Sequence, residues 1–238
     1  MQIKKKDCKM VIATKCAPVE RLLSDICEVG LQAVELYLSN SILRNRLETI
    51  RLCKNYPLRY AIHAPTNASF EMKELAKLAK EISAEVGVFH NIYWEDEWEG
   101  IIEQFRAIPA RLCIENVYNS TEAIKFERRY NMGLCLDLEH LQIESAGVFK
   151  DEFISLIKRA SHIHITGFRY GSELWHTPIH HSPEHNKYIL GLIKKADYSG
   201  FIVSEAQTSL QTKSELKKLF EYFEDWRESI EREDAMQL

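Results

Sequence analysis

Leu134-Cys135-Leu136-Asp137 is a short apolar run that ends on a carboxylate. Leu112-Cys113-Ile114-Glu115 and Ile202-Val203-Ser204-Glu205 have the same form, and His162-Ile163-His164 ends on an imidazole instead. Parallel strands buried on both faces exclude charge from their middles but accept it at their C-terminal ends. The four runs therefore read as strands of one parallel sheet whose last side chains, Glu115, Asp137, His164 and Glu205, point at one mouth. Carboxylates gathered this closely repel one another unless a cation lies among them.

Working outward, strand-like runs fall at 9–14, 33–38, 60–63, 86–93, 112–115, 132–137, 162–164 and 201–205. Helix-period stretches follow them at 18–29, 41–54, 70–85, 98–107, 121–130, 148–158, 183–195 and 213–232. Eight such alternations predict an α/β fold, a (β/α)8 TIM barrel. No Pro/Gly/Ser linker divides residues 1–238, so one domain is expected. An open doubly wound sheet is the alternative, but no G-x-G-x-x-G follows the first strand.

Side-chain parity supports closure. With the strand-end ligands inward, the inward residues two positions back are Ala33, Ala61, Val88, Cys113, Cys135, His162 and Val203. The outward ones are Val34, Ile62, Phe89, Ile114, Leu136, Ile163 and Ile202. Mostly small residues inside and mostly large ones outside suit a narrow barrel wrapped in helices.

The composition, 45% hydrophobic and 28% charged, is that of an ordinary globular protein, and no apolar run reaches the roughly 20 residues of a membrane span. Met1–Lys6 is basic but leads into no secretory apolar stretch, so a cytoplasmic protein is expected. The six cysteines form no Cys-x-x-Cys pair and read as reduced core residues, with Cys16 the nearest to a pocket. A formal charge of −4 and scattered Lys and Arg disfavour a nucleic-acid partner.

Barrel enzymes keep their active sites at the C-terminal ends of the strands. Those ends offer Glu35, His63, His90, Glu115, Asp137, His164 and Glu205, with His140 three positions beyond Asp137. The long seventh loop carries Phe168, Arg169, Tyr170, Trp175, His176, His180 and His181. His162 reads as a structural residue one layer below the mouth, His181 and His185 as solvated, and Trp94, Trp98 and Trp226 as packing residues.

The motifs His63-Ala64-Pro65-Thr66-Asn67, Ile114-Glu115-Asn116, Cys135 to His140, His162-Ile163-His164 and Ser204-Glu205-Ala206 resemble the strand ends of the xylose isomerase-like barrels. That superfamily holds sugar isomerases and epimerases together with abasic-site nucleases of the endonuclease IV type. The resemblance implies a divalent metal (Mn, Zn, Co or Fe) on Glu115, Asp137, His164 and Glu205. The nuclease branch would add His63 and His90, with Glu115 bridging to a second metal. Its third site would use His140 and an Asp-x-His on the seventh loop, where this chain has Pro178 in place of the aspartate. Its bulky DNA-inserting side chains also have no counterpart in Pro65-Thr66-Asn67-Ala68. Both departures count against DNA repair.

The chemistry points the same way. Isomerising or epimerising a sugar moves a proton next to a carbonyl, which needs a Lewis acid on the oxygens and carboxylates that reach the carbon. Glu115 and Glu205 are the expected proton carriers, and His140 orients a substrate hydroxyl. Glu35 is read as a substrate-binding carboxylate or a support for the ligands. Arg169, Trp175 and His180 are expected at the substrate, with Phe168 and Tyr170 in a lid. A phosphodiesterase of the abasic-site type and a ligand-binding barrel without catalysis are the alternatives. Oligomeric state is left open.

Overall fold

The computed structural model describes residues 10–67, 70–148 and 151–236. The basic start Met1–Lys6, the first of the six cysteines, Cys8, the first residue of the run 9–14 and Ala68 lie outside them. Eight parallel strands close in chain order: β1 (Met10–Cys16), β2 (Ala33–Tyr37), β3 (Arg59–His63), β4 (Val86–Phe89), β5 (Arg111–Glu115), β6 (Gly133–Asp137), β7 (Ala160–Ile165) and β8 (Gly200–Ser204). The last pairing, Thr14 with Ser204, seals β1 against β8. The expected TIM barrel is the fold.

Parity holds throughout. Ala33, Ala61, Val88, Cys113, Cys135 and Val203 fill the interior together with Ala13, Val86 and Phe201. The seven outward residues all belong to the larger core between barrel and helices. Small inward side chains leave the interior narrow, so the polar groups stacked above have a solid floor and little water beneath them.

The helices are α1 (Glu20–Glu28), α2 (Asn40–Arg44), α3 (Arg46–Lys54), α4 (Met72–Glu81), α5 (Glu95–Phe105), α6 (Ser120–Tyr130), α7 (Leu138–Glu144), α8 (Asp151–Arg159), α9 (Pro183–Lys195) and α10 (Lys213–Met236). The stretch 41–54, expected as one helix, is broken at Asn45, which leaves α-helical geometry at φ −101° and ψ 26°. The fourth strand stops at Phe89 rather than at 93, because His90 turns off the sheet toward the mouth. Trp98 and Trp226 are core residues as expected, but Trp94 is 79% exposed. Trp94 is the N-cap of α5, one turn short of the face that buries Trp98, Ile101 and Phe105.

The loops at the C-terminal face are tied down. Tyr93 donates its hydroxyl to the Pro65 carbonyl at 3.0 Å, which fixes the segments after β3 and β4 relative to each other. Asn116 donates to the Asp137 carbonyl at 3.1 Å and accepts from the Asp137 amide at 2.6 Å, clipping the end of β5 to the end of β6. No described helix is long and apolar enough to cross a membrane.

Candidate metal centre at the barrel mouth

Asp137 does two things at once. Its Oδ1 accepts from the His140 amide at 2.9 Å and caps α7, a short helix not anticipated from sequence. The cap turns Oδ2 toward His164, 3.9 Å from Nδ1. The same Nδ1 lies 2.9 Å from Glu205 Oε1 and 3.7 Å from Glu115 Oε1. On its other side, His164 Nε2 sits 3.1 Å from Glu35 Oε2.

These contacts fix the tautomer. A carboxylate can only accept, so Nε2 carries the proton that Glu35 receives, and a neutral His164 presents a bare lone pair at Nδ1. That lone pair faces a carboxylate oxygen, and buried Nδ1 makes no hydrogen bond. In a neutral ring two acceptors would confront each other; burial opposes charge there, but Cys135, Glu35 and Glu205 outweigh it and raise the His164 pKa well above the usual imidazole value, so without an ion a proton can stand at Nδ1.

The same confrontation recurs on the other side of Glu115. His63 Nδ1 donates to the Ala64 carbonyl at 2.9 Å, which leaves Nε2 as an acceptor 3.1 Å from Glu115 Oε2. His90 Nε2 reaches the same oxygen at 3.2 Å. Burial lowers the pKa of His63, so protonating the ring is not an easy escape. A cation between ring and carboxylate would relieve the His63 contact and take the place of a proton at His164 Nδ1.

Electrostatics agree. Four carboxylates, those of Glu35, Glu115, Asp137 and Glu205, are buried within this mouth. Burial, with repulsion from Glu205 and Glu115, pushes the Asp137 carboxyl up to about 6 against an opposing effect of His140. Burial also works against charge on Glu115, but the imidazoles of His164, His63 and His90 hold its carboxyl well below the usual range. The donor set, imidazole nitrogens and carboxylate oxygens on a rigid rim, fits a divalent ion such as Mn, Zn, Co or Fe. Two groups, His63/His90/Glu115 and Glu115/Asp137/His164, have their ligand atoms close enough to share an ion, and Glu35/His164/Glu205 forms a third.

Glu35, expected either at the substrate or behind the ligands, is fully buried beneath the mouth. Its Oε2 accepts from His162 Nε2 at 2.7 Å as well as from His164. It thus orients His164 from behind, as carboxylate partners of metal-ligating histidines do. His140 does reach the mouth, with Nε2 3.9 Å from Glu115 Oε1.

The seventh loop divides. Trp175 is half exposed, its ring 4.6 Å from that of buried Phe168, while Arg169 and Tyr170 face solvent. His180, expected at the substrate, is turned away: the 3-10 turn Ile179–His181 carries it onto α10, where Nε2 lies 2.8 Å from Glu215 Oε2. His181, expected in solvent, meets the same oxygen, and His185 reaches Gln142 Oε1 at 3.0 Å.

Lys15 was not anticipated. The first strand runs on to Cys16, so Lys15 keeps parity with inward Ala13 and stands beside Glu35 in the register. Its Nζ bonds Glu205 Oε1 and lies 3.6 Å from Glu35 Oε1. Burial would lower its pKa, but Glu205, Glu35 and Glu115 more than reverse that and keep it charged. Glu139 was missed as well. It is buried on α7, accepting from Thr166 Oγ1 at 2.5 Å and from the His176 amide at 3.3 Å, and so anchors the seventh loop. Beside Lys15 and Glu205 opens a cleft of about 520 Å³, also lined by Tyr37, His176 and Gln207. The five described cysteines are free, and Cys16, Cys53, Cys113 and Cys135 are buried thiols whose pKa values burial raises.

Among solved structures, the chain is similar to D-allulose 3-epimerase from Methylomonas sp., with a TM-score of 0.69 over 92% of this chain and 98% of that one at 13% identity. The 3-keto-D-glucoside 4-epimerase of E. coli matches with a TM-score of 0.64 over 92% and 99%, also at 13% identity. An L-ribulose 3-epimerase matches at 0.61 over 94% and 97% with 15% identity. What these likenesses share with the chain is the closed eight-stranded (β/α)8 barrel. No family model and no curated protein sequence matches the chain. At such identities the likeness to the epimerases is one of fold, and the chemistry of this barrel follows from the mouth itself.

Proposed function

We propose that this barrel is a divalent-metal-dependent isomerase or epimerase of a sugar or sugar-like substrate. The observation that carries the reading is the set of carboxylates around His164 Nδ1, with Glu205 Oε1 at 2.9 Å, Glu115 Oε1 at 3.7 Å and Asp137 Oδ2 at 3.9 Å. When bound there, a divalent ion supplies Lewis acidity toward substrate oxygens. Glu115, Asp137, His164 and Glu205 would hold it. The similarity in fold to sugar epimerases supports the same class.

The protein's own groups then have distinct tasks. Glu115 accepts the proton from the carbon beside the carbonyl, and Glu205 returns one at the other face or the neighbouring carbon. Lys15 Nζ, at the edge of the cleft, donates toward charge developing on a substrate oxygen. His140 orients a hydroxyl, and Arg169 and Trp175 meet the substrate from the seventh loop. A cleft of about 520 Å³ suits a small molecule. The test is incubation of ketoses, aldoses and their phosphates with metal-loaded protein in deuterated water, read by NMR. Conversion with deuterium at one carbon is expected. Failure to convert or label any sugar in the panel would remove the proposal.

One observation favours a second reading. His63 and His90 on Glu115 Oε2 add a place for a second ion, and paired metals suit in-line displacement at phosphate. The negative net charge weighs against a DNA substrate. Metal-dependent nicking of an abasic-site duplex at low protein concentration would promote phosphodiester hydrolysis over isomerisation.

A further inference from the structure

His180 Nε2 and His181 Nε2 each lie 2.8 Å from Glu215 Oε2, and the two rings meet edge to face with centroids 4.9 Å apart. Two imidazole nitrogens and one carboxylate oxygen thus converge at a point that uses none of the residues of the mouth. The histidines close the seventh loop, while Glu215 stands in the first turn of α10, 35 residues on from His180.

The donors are held before any ligand arrives. Ile179 is fully buried, and Asn186 Nδ2 donates to its carbonyl at 2.8 Å. The base of the loop is closed by the Gly167 amide on the Thr177 carbonyl at 2.7 Å and by Ser182 Oγ on the Gly167 carbonyl at 2.6 Å. A Cβ on Gly167 would collide with Thr177 and Pro178, so this closure requires glycine. The Glu215 amide is capped by Thr212 Oγ1 at 3.3 Å. Lys218 Nζ occupies the other carboxylate oxygen at 2.7 Å, which leaves Oε2 to the imidazoles.

His180, His181 and Glu215 each offer one ligand atom, and the three atoms lie within 4.8 Å of one another. Burial lowers the pKa of His180 in spite of Glu215, while Lys218 and the two histidines overcome burial to bring the Glu215 carboxyl down to about 2. A neutral His180 beside an ionised Glu215 is in the form that binds metal. Opening the contacts by about half an ångström gives the roughly 3.3 Å ligand spacing of tetrahedral zinc with an N2O donor set and one open position.

We propose that His180, His181 and Glu215 form a separate site for a zinc-class divalent cation, which clamps the seventh loop to α10. The proposal does not rest on the isomerase reading. Its test uses the full chain carrying Glu115→Gln, Asp137→Asn and His164→Gln, which take a ligand from every group of the mouth, stripped with chelator and titrated with zinc alone. About one zinc per chain by elemental analysis, with a rise in Tm, is expected. Adding His181→Ala should weaken that binding at least about tenfold and abolish the rise in Tm. His181→Gln, which can still donate to Glu215 but ligates poorly, should behave like His181→Ala. Should the mouth variant fail to fold, the comparison is made on the otherwise unaltered chain, where His181→Ala should lower bound zinc by about one ion. No zinc on the mouth variant, or equal zinc with and without His181→Ala, overturns the proposal.

Discussion

Glu115 and Glu205 are equally committed to the mouth but differently compensated. Glu205, in the quadrant of β8, β1 and β2, has a resident cation in Lys15, which also approaches Glu35. Glu115, in the quadrant of β3 to β5, faces only imidazoles, and His63, whose Nδ1 proton goes to the Ala64 carbonyl, offers it a lone pair. One carboxylate is matched by a charged Lys15, whereas the other has only imidazoles against it. Removing charge should therefore have opposite consequences in the two quadrants.

The largest effect is expected from Glu115→Gln. The amide cannot accept a proton, so turnover should fall by about 10²- to 10⁴-fold. Its NH2 can donate to His63 Nε2, so the metal-free fold should be unharmed. Steady-state kinetics beside urea denaturation checks both halves, and full activity would remove Glu115 from the chemistry. Lys15→Met should do the reverse to stability. It leaves Glu35 and Glu205 buried without their cation, at a cost of about 3 kcal/mol in the metal-free chain. Added manganese should recover part of that loss, and an unchanged denaturation midpoint would show that the pair contributes nothing.

Asp137 lies between the quadrants and supplies a pH signature. Its carboxyl sits at about 6 in the folded chain against an ordinary value of 3.8. The folded state then binds more protons than the unfolded state across that interval, so its contribution to stability is full below about pH 4 and is lost as pH rises through 6. At about 1.4 kcal/mol per unit the loss approaches 3 kcal/mol. Metal-free Asp137→Asn should therefore be more stable than the parent at pH 7, with the gap closing near pH 4. Metal should invert the order at pH 7, since it requires the ionised form. Denaturation at both pH values, with and without metal, is the measurement. The smallest effect belongs to the exposed rim: Arg169→Ala should change stability by less than about 0.5 kcal/mol and act on KM rather than kcat.

The strand ends were legible because doubly buried parallel strands leave no other place for charge, so each terminal Glu, Asp or His marks the mouth. Lys15 was hidden by the opposite logic. A lysine followed by Cys16-Ala17-Pro18 looks like the start of a loop, although its i, i+2 relation to inward Ala13 carries the signal. α7 was illegible because Asp137 reads as a ligand and is also the cap of a seven-residue helix. Trp94 and Trp98 share spacing suited to one helical face, yet the helix begins only after Trp94. The partner of His180 was beyond reach, since the pairing with Glu215 depends on where a long loop lands on a helix that begins 33 residues later. What sequence periodicity encodes is the barrel and its rim; which loop residue meets which helix is settled only by packing.

The most direct measurement is anomalous scattering at the zinc edge from crystals of the full chain grown with zinc. Ions held at the mouth give peaks between His63 Nε2 and Glu115 Oε2 and between His164 Nδ1 and Glu205 Oε1. Density at both positions is the expected result. An empty mouth at saturating zinc, with each ring nitrogen still within hydrogen-bond distance of its carboxylate, would mean that protons hold these pairs together, and the metal centre would be contradicted.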